Sequence, residues 1–93
     1  MTIKYTKAFL AKLKKQNVRI RKDFKKVIIV FSNNPDDLSL HNHELTREWQ
    51  GYRSINITAD FRAVYKEVVF ADELVVYFTT LGTHDELYKS ASN

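Results

Sequence analysis

Seven polar side chains in the second half of this chain are not accounted for by strand packing: His41 and His43 in "LHNHEL", Arg53 and Asn56 in "GYRSINIT", Asp60 and Arg62 in "TADFRAVY", and His84 in "LGTHDELY". Histidine titrates near neutrality and serves as proton donor or acceptor. Arginine forks onto two phosphate oxygens and stabilises negative charge as it develops. Aspartate orients an imidazole or takes the proton itself. Cleavage of RNA through its own 2′-hydroxyl needs a base for that proton, an acid for the leaving 5′-oxygen, and cations for the pentavalent phosphorane. It needs neither a metal nor a protein nucleophile. His43, Asp60, His84, Arg53 and Arg62 supply such a set.

Other uses of the same residues compete with this one. On a strand, His41 and His43 would point to one side and could chelate a metal with His84 or Asp60. The sequence specifies no third ligand, so no metal and no cofactor are expected. Arg53 and Arg62 could pair with Glu44, Glu48 or Glu67 across strands, and Asp60 suits a turn. Thr83 and Glu86 have the spacing of a capping box, which would place His84 just inside the start of a short terminal helix.

These residues must be positioned by what precedes them. "TIKYT" alternates like a short strand. Thr6 can cap a helix over "TKAFLAKLKKQN", with Phe9 and Leu13 one turn apart, Leu10 beside them, and Lys7, Lys14 and Lys15 outward. Asn17 reads as a break. In "VRIRKDFKKVIIVFSNNP", Ile20, Phe24, Val27, Ile28 and Phe31 form one face of a 3.6-residue period, and Asn33, Asn34 and Pro35 stop it. The period then changes to that of strands in "HNHELT", "GYRSINIT", "FRAVYKEVVF" and "ELVVYFTTL", joined by short turns at Gly51, "TAD" and "ADE". The fold class expected is α+β: an N-terminal strand, a two-helix hairpin on one sheet face, a four-stranded, largely antiparallel sheet, and a short C-terminal helical turn. The tail "KSASN" is expected to fray.

At 93 residues the chain is expected to form one domain with one core over 1–93. It has no cysteine, which removes disulfides and thiolate zinc sites. With no apolar run of membrane or signal-peptide length, the expected setting is the cytoplasm, with no membrane partner. Residues 1–26 carry ten Lys/Arg against one acid, a balance of +9. The rest carries five against ten, −5, giving the overall +4. Such asymmetry points to a polyanion or an acidic protein as partner.

"NHEL", "GYRSINITADFRAVY" and "LGTHDELY" together resemble the RelE/StbE branch, the YafQ-like members, of the RelE/ParE toxin superfamily. The strand-helix-helix-strands order extends the resemblance over the whole chain. It implies a RelE-like fold and a toxin of a type II toxin-antitoxin system that cuts mRNA on the ribosome and is neutralised by a cognate antitoxin. By position, the resemblance implies an active site of His43, Asn56, Asp60 and His84, with Arg62 and Tyr88 in the places of an arginine and tyrosine used by RelE. Asparagine carries no proton, so Asn56 departs from the histidine of YafQ-like relatives and is assigned to substrate binding with Arg53. Lys14, Lys15 and Arg21, with Lys7, Lys22 and Lys25, would grip ribosomal RNA or help hold the antitoxin. A gyrase-inhibiting toxin on the same fold, or an inactive antitoxin-binding member, is the alternative; the gathering of His43, Asp60 and His84 argues against the first.

Overall fold

Local capping starts both long helices. In the computed structural model, which describes residues 1–88, the Thr6 hydroxyl accepts from Phe9 N–H at 3.1 Å to begin α1 (Lys7–Lys14). Asn17 does the same for Ile20 N–H at 3.0 Å and begins α2 (Val18–Asn33). The expected break at Asn17 is therefore a helix start, because its side-chain amide oxygen satisfies a first-turn donor. The "KSASN" tail lies outside the described residues.

The strands are β1 (Thr2–Tyr5), β2 (His43–Glu44), β3 (Tyr52–Asn56), β4 (Phe61–Phe70) and β5 (Glu73–Thr83), and α3 (His84–Tyr88) follows. They form one sheet in the order β1-β5-β4-β3-β2, antiparallel except for β1, which lies parallel to β5. The two helices between β1 and the later strands provide the crossover a parallel neighbour requires. Ala71 and Asp72 both take positive φ, 50° and 65°, as a two-residue hairpin between twisted strands demands. Thr58 closes the other hairpin by accepting from Phe61 N–H at 3.0 Å.

One face of the sheet meets α1 and α2 over an aromatic core. Phe78 is fully buried, with ring centroids 5.3 to 5.8 Å from those of Tyr5, Phe9, Phe24, Phe31 and Tyr65. The face of α2 expected from its period is the one that packs here, whereas Leu10 of α1 is half exposed. Because α1 is only two turns long, Phe9 and Leu13 already use up its contact stripe.

Two features depart from simple alternation. A register shift between Val64 and Tyr65 leaves Thr79 as an extra residue in β5. Without this bulge, strand alternation from Phe78 would bring Thr80 and Gly82 to the helical face; with it, Leu81 enters the core instead. The strand expected over "HNHELT" shortens to His43–Glu44. His41 adopts φ 48°, ψ 45° at the end of a 3₁₀ turn (Leu38–Leu40), and Leu45 turns inward before a second one (Arg47–Trp49).

Candidate active site

The sheet face opposite the helices carries a smaller apolar cluster of Leu45, Val64 and Leu87, flanked by Trp49, Tyr52 and Tyr88. It holds α3 against the strands. Trp49 Nε1 donates to Leu87 O at 3.1 Å, and the side chains of Glu86 and Leu87 lie over Gly82 of β5. Beside this cluster opens a cleft of about 390 Å³. It is lined by the loop from Glu44 to Trp49 together with His43, Arg62, His84 and Tyr88.

Backbone geometry orients both cleft histidines. The left-handed turn at His41 brings its carbonyl 2.8 Å from His43 Nδ1. A carbonyl only accepts, so Nδ1 carries the proton of this bond and the neutral ring keeps the Nε2 lone pair. His84 N–H donates to Asp60 O at 3.2 Å, tying the start of α3 to the turn before β4. The expected capping box is formed: Thr83 N–H donates to Glu86 Oε1 at 2.8 Å and Glu86 N–H to the Thr83 hydroxyl at 3.2 Å. The His84 ring stands edge-on to Tyr88 at 4.7 Å, and its side chain is 60% exposed, open to a ligand.

The Glu86 carboxyl is held below the usual glutamate range, first by the Thr83 N–H bond, then by the Thr83 hydroxyl, with a small contribution from Lys12. A depressed pKa means that this stabilisation is complete above the unfolded-state value and is lost as pH falls through the lowered one. Glu86→Gln is therefore expected to flatten the acid limb of stability against pH, measured by melting at a series of acidic pH values. An unchanged limb would remove the box from the forces holding His84.

Of the residues expected in the site, His43, Arg62, His84 and Tyr88 line one cleft. Asp60 is exposed and meets His84 through its backbone carbonyl. The Tyr88 hydroxyl is buried without a hydrogen-bond partner among the described residues. Arg53 does not line this cleft. Its Nε donates to Asn42 Oδ1 at 2.9 Å, a guanidinium nitrogen sits 3.4 Å from Glu44, and Asn42 in turn donates to Tyr65 Oη at 2.7 Å. Burial of Tyr65 on the helix side pushes its phenol up. Asn56 pairs opposite Arg62 in the sheet but lines a separate concavity with Lys26 and His41. Lys14 at the end of α1, Lys15 just after it and Arg21 on α2 are exposed.

The chelating pair does not arise, because His41 leaves the strand and faces a different concavity from His43. Among the described residues, no three His, Asp or Glu side chains gather as a metal would require. Sequence reading missed Lys12, whose Nζ reaches Thr80 Oγ1 at 3.4 Å where β1 has ended, and the wall "TREW", for which the lone tryptophan was the available signal.

A family model described as the bacterial toxin YafQ of type II toxin-antitoxin systems matches residues 1–89. YafQ from E. coli strain BL21(DE3) superimposes with a TM-score of 0.73 at 26% identity, over 92% of this chain and 96% of that one. The YoeB/ParE toxin from Agrobacterium tumefaciens gives 0.71 at 20% identity, over 90% and 99%. The toxin in the RelB-RelE antitoxin-toxin complex from Methanococcus jannaschii gives 0.64 at 21% identity, over 92% and 95%. No curated protein sequence matches the chain.

Proposed function

The chain belongs to the YafQ family of bacterial toxins from type II toxin-antitoxin systems, and from that premise we propose that it is a ribosome-dependent endoribonuclease that cuts mRNA. The observation that carries this reading is the convergence of His43, Arg62, His84 and Tyr88 on one cleft. With its Nε2 lone pair free, His43 is the base for the 2′-hydroxyl. His84, once protonated, is the acid for the leaving 5′-oxygen, and Asp60 steadies it from the adjoining turn. Arg62 forks onto the phosphate as charge develops, and Tyr88 positions a nucleotide with its ring. Such chemistry splits acid and base between two imidazoles, so cleavage follows a bell-shaped pH dependence.

In this reading Lys14, Lys15 and Arg21 grip ribosomal RNA through salt-dependent contacts. A cognate antitoxin binds and neutralises the toxin; the DinJ-YafQ toxin-antitoxin complex of E. coli and the RelB-RelE antitoxin-toxin complex support such a partner. Arg53 and Asn56 would contribute at the margin of the RNA path, outside the cleft.

Induced expression tests the proposal: translation should halt, with transcripts cut inside reading frames. Arg62→Ala is expected to lower cleavage of ribosome-bound mRNA by about 10² to 10³-fold, with ribosome binding little changed. Unaltered transcripts beside inhibited DNA supercoiling would replace this reading with that of a gyrase inhibitor.

A further inference from the structure

Arg47 occupies a backbone conformation that its residue type disfavours. Its φ is 57°, at the second position of the turn closed by Trp49 N–H onto Thr46 O at 3.1 Å. Glycine adopts that region without steric conflict, whereas an L side chain brings its Cβ against the following carbonyl. The other non-glycine residues of positive φ among those described have structural reasons in the hairpin at Ala71 and Asp72 and the carbonyl of His41 aimed at His43. Arg47 lies in a hydrogen-bonded turn as well, with its own carbonyl accepting from Gln50 N–H at 3.0 Å, and that turn would be made at lower cost by glycine. Its side chain is exposed, lines the cleft, and is paired with no carboxylate among the described residues.

The surrounding charges sharpen the point. Of the two acids on the same wall, Glu44 is engaged by Arg53, leaving Glu48 against Arg47 and Arg62. Arg47 lines the same cleft as Arg62, His84 and Tyr88, so a strand of RNA passing the histidines meets two guanidinium groups. We propose that Arg47 is a substrate-binding residue: it holds the phosphate of a nucleotide neighbouring the scissile one, and the turn keeps a strained arginine where glycine would fit for the sake of that contact. This inference rests on the RNA-cleaving reading above.

The test uses His84→Ala protein, in which cleavage is expected to be too slow to disturb a binding measurement, and a short single-stranded RNA as probe, with and without Arg47→Gly. Arg47→Gly is expected to weaken binding about tenfold and to make the slope of log affinity against log salt shallower by about 0.7, the value for one phosphate contact on a single strand. Arg47→Lys should restore the slope and only part of the affinity, since a point charge replaces a fork. The melting midpoint of Arg47→Gly should equal that of the parent or exceed it by about 0 to 5 °C, because relief of strain offsets the freer unfolded chain. Unchanged affinity and slope would overturn the proposal. So would a marked drop in melting midpoint, which would make Arg47 a structural part of the turn. If wild-type protein fails to cut ribosome-bound mRNA while the loss of RNA affinity persists, the cleavage reading falls and with it the substrate role, leaving Arg47 an RNA contact only.

Discussion

Replacing His84 with alanine is expected to lower cleavage of ribosome-bound mRNA by about 10² to 10⁴-fold, the range a positioned proton carrier contributes. Growth arrest on induction should disappear with it. The fold should survive: the bond from residue 84 to Asp60 is made by the backbone N–H, and the capping box by Thr83 and Glu86. What the variant removes is a largely exposed imidazole and its edge contact with Tyr88. Its melting midpoint should therefore lie close to that of the wild type, and it should still form the antitoxin complex expected of the parent. Retention of full cleavage by His84→Ala would sink the assignment of His84, and retention by Asp60→Ala as well would remove that end of the cleft from the chemistry.

Phe78→Ala should fail for the opposite reason. Phe78 is fully buried and makes aromatic contacts with five rings drawn from β1, α1, α2 and β4. Truncation loses the transfer free energy of the ring and opens a cavity that five large neighbours cannot all collapse into, a cost of about 3 to 5 kcal/mol. Against a total stability of about 5 to 15 kcal/mol, that is a large fraction. The melting midpoint should drop by more than about 12 °C, and near-ultraviolet circular dichroism should weaken. Phe70, 74% exposed at the hairpin tip, is the control, and Phe70→Ala should change stability by less than about 0.5 kcal/mol. Equal effects from the two would mean that the aromatic core does not organise the fold.

The two variants separate residues that local sequence describes well from those it does not. Thr6, Asn17 and the Thr83–Glu86 pair bond to backbone groups three residues away, so the letters and their spacing suffice to place them. The α2 stripe from Ile20 to Phe31 is likewise a property of a period, and the structure buries or half-buries every member of it. His43, Arg62 and His84 were identifiable as polar residues at or near strand ends, while Tyr88 came only from the resemblance to a family that the chain proves to belong to. Arg53 looked equivalent to Arg62 from its position, yet Asn42 and Glu44 occupy it. Asn42 lies eleven residues away and Tyr65 is one strand over, which alternation alone does not reveal.

By itself, then, the sequence determined the element types, the helix starts and the inventory of proton carriers and cations, because these depend on covalent neighbours within a turn or two. Tertiary structure alone decided the parallel placement of β1 on β5, the bulge at Thr79, the two-residue length of β2, and the reach of Lys12 to Thr80. Each of these depends on which residues pack together across dozens of positions, where burial of side chains outweighs local preference. The cleft itself is of that kind: its walls come from a loop after β2, from β4 and from α3, and they meet only because Trp49, Leu45, Val64 and Leu87 pack together.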